Sequence, residues 1–108
     1  MKLAKNAQLL RIYLDKNLKH KNKPMYEQIV LEAKELKLAG ATVLRGIMGF
    51  GAESHLHTAK LLSLSEGLPV VVEIVDSEEN INKLLPYIDE NLKEGLVTIE
   101  KVRVYKYC

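Results

Sequence analysis

Apolar and polar side chains alternate along the first patterned segment of the chain, residues 7–15. Leu10, Ile12 and Leu14 fall on one face of this segment. The residues between them fall on the other face: Leu9, Arg11, Tyr13 and Asp15. A period of two over this length predicts a β-strand with one buried face.

Two later segments have the period of an α-helix. Residues 24–39 repeat their apolar side chains at helical spacing, Pro24 opens the segment where a missing N–H costs nothing, and Gly40 follows it as a C′ glycine. A second apolar stripe begins after Ser77, a residue type that caps helix N-termini, and ends before Gly95. The sequence therefore predicts two amphipathic helices.

Three further segments are rich in apolar residues and predict strands: residues 41–50, 69–75 and 96–105. Gly46 and Gly49 interrupt the first of them, and glycine inside a strand usually marks a bulge or a close backbone approach. In the last strand the apolar parity changes after Ile99. We therefore expect a bulge near Glu100 and Lys101.

The resulting order, β-α-β-β-α-β, is the split βαβ pattern of a ferredoxin-like sandwich, an α+β fold. Right-handed crossovers place both helices on one face of a four-stranded antiparallel sheet, and residues 1–108 form a single domain. The strands are nevertheless apolar at both parities. We expect a second apolar sheet face that includes Val43, Ile47, Val71 and Val75, and its exposure predicts an oligomer packed through its sheets.

Composition is that of a small globular protein. The chain has 108 residues, a mass of 12.2 kDa, a net charge of +2 and one cysteine, Cys108. The small net charge does not indicate nucleic-acid binding, and a lone thiol is typical of a reducing cytoplasm, where we expect the protein. No apolar run reaches the roughly 20 residues of a membrane span, and no secretion signal precedes the first strand, so membrane insertion is not expected.

Charge is unevenly distributed along the chain. Residues 1–23 carry seven basic side chains and one acidic, a net of +6, whereas residues 73–94 carry two basic and seven acidic, a net of −5. These segments are either two solvated surfaces or complementary edges of neighbouring subunits, because opposite patches steer association.

Two runs of sequence carry a resemblance to a known family. They are Arg45-Gly46-Ile47-Met48-Gly49-Phe50-Gly51 and Leu68-Pro69-Val70-Val71-Val72-Glu73-Ile74-Val75-Asp76. With the order of elements, they resemble the PII-like (nitrogen regulatory protein PII-like) superfamily, and within it the branch known as domain of unknown function 190. The resemblance implies a homotrimer with sheets lining a central core and ligand clefts between subunits. It also implies a signalling role, in which an exposed loop, here residues 51–65, contacts a partner such as a membrane transporter or an enzyme.

The resemblance further implies a small anionic effector. The best-studied members of the family bind adenine nucleotides with a glycine-rich loop before the last strand and with basic residues near the C-terminus. The matching stretch here, Lys93-Glu94-Gly95, has one glycine and an acidic residue, so nucleotide binding is not simply inherited. The remaining basic candidates are Lys93, Arg103 and Lys106, which are otherwise exposed charges at a strand end.

A second candidate for anion binding is the backbone of Gly49-Phe50-Gly51, because glycines leave neighbouring N–H groups unobstructed. The alternative is a strand that ends in a flexible loop. Arg45 lies on the strand that leads into this run, where it either aims at an anionic ligand or pairs with Glu73 on the adjacent strand. We predict a weak ligand site between subunits, in which the glycines of one chain face Arg103 and Lys106 of another.

Glu53, His55 and His57 alternate along the segment after these glycines and could share a metal ion. A metal-handling domain, similar to the copper-tolerance proteins of the same architecture, is therefore the alternative to a PII-like regulator. The sequence contains no Ser-His-Asp order and no cysteine close to a histidine, so an enzyme is not predicted.

Overall fold

Four strands and two helices make up most of the fold. The computed structural model describes residues 6–51, 57–58 and 68–108. The main elements are β1 (Asn6–Asp15), α1 (Met25–Glu35), β2 (Thr42–Arg45), β3 (Pro69–Asp76), α2 (Glu78–Asn91) and β4 (Leu96–Arg103). Two pairs of two-residue strands lie outside the main sheet: Lys19–His20 with Lys23–Pro24, and Met48–Gly49 with His57–Thr58.

The four main strands form one antiparallel sheet in the order β2-β3-β1-β4, which confirms the predicted ferredoxin-like sandwich. The core lies between this sheet and the two helices. Its strand residues alternate as the period of two predicted: Leu10, Ile12, Leu14, Val70, Val72 and Ile74. Its helix residues include Ile29 of α1 and Leu84 of α2. Burial of these side chains away from water is the main term that stabilises the fold.

The opposite sheet face, called the open face below, is only partly covered. Leu44 on β2 lies directly opposite Val71 on β3, and both belong to this face. Val43 lies opposite the buried Val72 and is therefore on the helix side, so its prediction as part of the second face is wrong. Ile47 follows the end of β2 and is 82% exposed, and it is not part of the sheet either.

The first helix ends earlier than predicted. The N–H of Leu38 donates to the carbonyl of Ala33 at 3.0 Å, and the N–H of Lys37 donates to that of Lys34 at 3.0 Å. These two bonds form a Schellman motif, in which Lys37 takes the left-handed position with a φ of 63°. Gly40 is therefore not the C′ glycine. The burial of Leu38 sets this end of the helix.

Two strand predictions also need correction. β2 ends at Arg45 rather than near residue 50. The N–H of Gly46 still donates to the carbonyl of Pro69 at 2.8 Å in the same register, but Pro69 has no N–H to donate in return, so the pairing stops there. β4 pairs with β1 in continuous register over residues 96–103, so the predicted bulge is absent. β4 instead has apolar residues on both of its faces. Ile99 lies opposite the buried Leu10 on the helix side of the sheet, and Val102 lies opposite Ala7 on the open face.

Candidate functional site

The chain segment after β4 forms one wall of a cleft at the end of the sheet where β1 and β2 begin. This C-terminal cleft has a volume of about 320 Å³. Its lining residues come from the α1–β2 connection, from β2 and β3, and from the segment after β4: Ala39, Gly40, Ala41, Thr42, Glu73, Val75, Val104, Lys106 and Tyr107. The segment therefore extends from β4 at one sheet edge to β2 at the other edge.

A short chain of hydrogen bonds fixes the far wall of this cleft. The Tyr107 hydroxyl donates to the carbonyl of Ala39 at 2.9 Å. The N–H of Ala39 in turn donates to the buried carboxylate of Asp76 at 2.7 Å. Asp76 also accepts from the N–H of Ser77 at 2.7 Å and from the side-chain amide of Asn80 at 3.0 Å. The C-terminal segment is thus linked through Ala39 to the junction between β3 and α2.

The two charged side chains of the cleft have different surroundings. Glu73 accepts a hydrogen bond from Arg11 Nε at 2.9 Å, and Arg11 also contacts Glu100 at 3.2 Å. The hydrogen bond to Glu73 is the main reason why the pKa of Arg11 lies above its usual value. Lys106 forms no ion pair within the described part of the chain. The cleft therefore presents one unpaired cation beside a carboxylate that is already neutralised.

The predicted pair between Arg45 and Glu73 is wrong. Arg45 lies opposite Val70 across β2 and β3, whereas Thr42 lies opposite Glu73. Arg11 lies directly opposite Glu73 on β1, the other strand beside β3, and forms an ion pair with its carboxylate. Arg45 is exposed, so it stays available to an anionic ligand.

The glycine segment, residues Arg45–Gly51, lies at the other end of β2. Gly46 and Gly49 both pack against the ring of Pro69, and a Cβ at these positions would lie 2.6 and 3.1 Å from Pro69 Cγ. The predicted close backbone approach is therefore confirmed at Gly46. Phe50 is 74% exposed, and a Cβ on Gly51 would meet nothing within 4 Å. The segment leaves room for a ligand at Gly51 but not at Gly46.

The stretch before β4 does not form a glycine cradle. Lys93 Nζ donates to the carbonyl of Glu90 at 2.8 Å, so its ammonium group sits at the C-terminal end of α2. Gly95 has a φ of 141°, and a Cβ there would lie 2.7 Å from the Tyr13 carbonyl. This glycine is needed for the close approach of the chain to β1.

Within one chain the predicted ligand residues fall into two groups at opposite ends of the sheet. Arg103 lies opposite Asn6 at the start of β1, and Lys106 lines the cleft nearby. The glycine segment packs on Pro69, which lies opposite Asp15 at the end of β1. Ten strand residues at roughly 3.4 Å each separate these groups by about 30 Å. One chain cannot bring them together.

The predicted metal ligands lie largely outside the described residues. Glu53 and His55 lie outside the described residues, and His57 is described by its backbone, which pairs with Gly49. Among residues 6–51 and 68–108, no three His, Cys, Asp or Glu side chains are grouped as metal ligands would be. The metal site at His55 and His57 stays a prediction.

Comparison with known proteins places this architecture in a family. The model of the DUF190 family, described as "Uncharacterized ACR, COG1993", matches residues 7–104. The chain belongs to the DUF190 family. A UPF0166 protein of Aquifex aeolicus is 43% identical over 96 residues, which cover 89% of this chain and 90% of the relative. UPF0166 protein MJ1524 of Methanocaldococcus jannaschii is 41% identical over 101 residues, or 93% of each chain.

Solved structures of PII-like proteins share the fold of this DUF190 chain. A putative PII-like signaling protein (TTHA0516) from Thermus thermophilus aligns with a TM-score of 0.66 at 20% identity, covering 96% of this chain and 93% of its own. CPII from Thiomonas intermedia K12, a nitrogen regulatory PII-like protein bound to ADP, AMP and bicarbonate, aligns with a TM-score of 0.65 at 19% identity, covering 97% and 92%. These matches confirm that the chain has the fold of the PII-like proteins that its sequence resembles.

Sequence reasoning missed two features of this DUF190 chain. The first is the bond from Tyr107 to Ala39, which has no periodic signal because it joins residues 68 positions apart. The second is the group of Arg11, Glu73 and Glu100 on the open face. The alternation of β1 did place Arg11 away from the core, but only the strand register shows that Glu73 and Glu100 flank it.

Proposed function

We propose that this DUF190 chain is a PII-like signalling protein that assembles as a homotrimer and binds a small anionic effector between subunits. The observation that carries the proposal is the match of nearly the whole fold to CPII, whose structure holds ADP, AMP and bicarbonate. An adenine nucleotide is therefore the first effector to test. The role is regulatory rather than catalytic.

The division of the ligand residues between two ends of the sheet supports a site made by two chains. Gly51 is exposed and a Cβ there would meet nothing within 4 Å, so its backbone is open to an anion, and Arg45 in the same segment is also exposed. Arg103 and Lys106 of the neighbouring chain supply the positive charge. Only one glycine precedes β4, so few backbone donors are offered to a phosphate, and micromolar or weaker binding is expected.

The C-terminal cleft is consistent with a site completed by a second chain. Its volume of about 320 Å³ lies at the lower limit of about 300–1,000 Å³ for small-molecule pockets. A single chain would therefore enclose only part of a nucleotide. In this proposal the neighbouring subunit closes the remaining side.

The partner in this proposal is a transporter or an enzyme that the loop of residues 51–65 contacts. The loop begins at Gly51, directly after the proposed ligand residues, so a bound effector and the start of the loop are adjacent in the chain. Effector binding and partner contact would then be coupled through adjacent residues, most of which lie outside the described residues.

Calorimetry with purified protein tests the proposal. The panel contains ADP, AMP, cyclic dinucleotides and bicarbonate. We expect one class of anion to bind, and Arg103→Ala and Lys106→Ala each to weaken it by about 1.5–3 kcal/mol, the range for a hydrogen bond to a charged group. Lys101→Ala is the matched control, because Lys101 is exposed on the same strand two residues before Arg103.

Binding that survives both substitutions unchanged would remove this site. Zinc or copper binding that is lost in His55→Ala and His57→Ala, without any nucleotide binding, would favour the metal-handling alternative instead.

A further inference from the structure

A cationic hairpin projects from the end of the sheet where β1 finishes. Lys19–His20 pairs with Lys23–Pro24, and Lys21 and Asn22 form the tip. Lys19, Lys21 and Lys23 are all exposed, and none forms an ion pair within the described residues. No acidic residue interrupts residues 16–23.

This hairpin is held in one conformation. Lys21 and Asn22 have φ values of 54° and 66°, the left-handed pair of a two-residue hairpin turn, which Asn adopts readily but which costs about 1–2 kcal/mol at Lys21. The side-chain amide of Gln28 donates to the carbonyls of both His20 and Lys23. The N–H of Met25 closes the base by donating to the carbonyl of Leu18 at 2.8 Å. Strain maintained by dedicated contacts is typical of functional segments.

Exposed apolar side chains lie at the same end of the sheet. Ile47, Met48 and Phe50 are 82%, 58% and 74% exposed. Their segment packs on Pro69, and Pro69 lies opposite Asp15, after which the hairpin begins. Two strand spacings of about 4.8 Å therefore separate β2 from β1 here, a distance of about 10 Å.

Residues 15–23, 45–51 and 92–96, called the hairpin end below, together hold six Lys or Arg residues and two acidic residues. From this combination of charge and exposed apolar side chains, we infer that the hairpin end binds the surface of an anionic lipid bilayer. Clustered lysines are attracted by acidic headgroups, and adjacent apolar side chains enter the boundary of the acyl chains. Neither helix of the described chain is long and apolar enough to cross a bilayer, so the association is peripheral.

Other anionic partners fit the hairpin end less well. Lys19, Lys21 and Lys23 are all exposed, whereas a small-anion site encloses its ligand among converging polar groups. Five of the six cations of the hairpin end are lysines, and Arg45 is the one arginine fork that could bind a carboxylate by two hydrogen bonds. Phe50 is the one aromatic residue among Phe, Tyr and Trp in the hairpin end, so the row of stacking side chains that single-stranded nucleic acid needs is missing. A planar layer of many headgroups satisfies separate point charges without a matched geometry.

Co-sedimentation with vesicles tests the inference. We expect the protein to bind vesicles made of equal parts phosphatidylcholine and phosphatidylglycerol, not vesicles of phosphatidylcholine alone, and to dissociate at high salt. The triple variant Lys19→Glu, Lys21→Glu, Lys23→Glu should reduce the partition coefficient by about a hundredfold. Ile47→Ser with Met48→Ser should also reduce it.

A triple variant with the same change of net charge is the control: Lys34→Glu, Lys83→Glu and Lys101→Glu. These exposed lysines lie outside the hairpin end, so vesicle binding should fall much less. Circular dichroism verifies that both triple variants are folded. No binding to anionic vesicles, or an equal loss in both variants, would overturn the inference, as would hairpin-dependent binding of RNA alone. Arg103→Ala should leave vesicle binding unchanged, which separates this inference from effector binding.

Discussion

At the scale of single residues, two glycines have no room for a side chain and two others do. Gly46 is pressed against Pro69, and Gly95 against the carbonyl of Tyr13. A Cβ on Gly40 or on Gly51 would meet nothing within 4 Å. Gly46 directly follows β2 and Gly95 directly precedes β4, so both lie where a strand joins its connecting segment. Gly51 has room to face a ligand.

We expect Gly95→Ala to destabilise the fold by about 1–3 kcal/mol, because the new Cβ would clash with the Tyr13 carbonyl and the φ of 141° is strained for alanine. Gly51→Ala, the matched control, should change the free energy of unfolding by less than about 0.5 kcal/mol. Urea unfolding curves measure both. Equal effects of the two substitutions would contradict the described packing.

The ion pair of Glu73 shows what the sequence can and cannot predict at this scale. Alternation along β1 and the apolar run of β3 placed Arg11 and Glu73 away from the core. Two arginines, Arg11 and Arg45, were then available on strands that flank β3. The choice between them depends on strand register, which long-range packing sets and which local pattern does not contain.

At the scale of elements, the sequence predicted every main strand and helix but not all of their ends. α2 begins as predicted, because the Ser77 hydroxyl accepts the N–H of Asn80 at 3.1 Å, a local bond between near neighbours. α1 ends before its predicted glycine, because the burial of Leu38 outweighs the backbone cost at Lys37. Tertiary packing decided this boundary rather than local preference.

The end of α1 gives a direct prediction. Lys37→Gly should stabilise the protein by about 0.5–1 kcal/mol, because glycine adopts the left-handed backbone of Lys37 without strain. Gly40→Ala should be close to neutral, since its Cβ would meet nothing within 4 Å. Thermal unfolding of both variants decides the matter: destabilisation by Gly40→Ala with no gain from Lys37→Gly would mean that the helix ends at Gly40 after all.

At the scale of the whole molecule, the order of elements predicts the fold but does not locate a ligand site. The apolar open face and the division of the predicted ligand residues between opposite ends of the sheet both favour an assembly of several chains. The residues that build a site between chains come from separate surfaces of each chain. The periodicity of one sequence does not show which of these surfaces meet in the assembly.

Mixed trimers of two variants provide the most direct test of a site shared between chains. Gly51→Asp places a repelling carboxylate on the glycine side of the site, and Arg103→Ala removes the cation from the other side. Each variant alone should bind the effector at least about tenfold more weakly than the wild type, while light scattering still gives three times the chain mass of 12.2 kDa. When the two variants are unfolded and refolded together, some interfaces combine the intact glycine side of one chain with the intact Arg103 of another. We expect calorimetry to show wild-type affinity at reduced stoichiometry in this mixture, and mixed trimers without any recovered binding would contradict a site shared between chains.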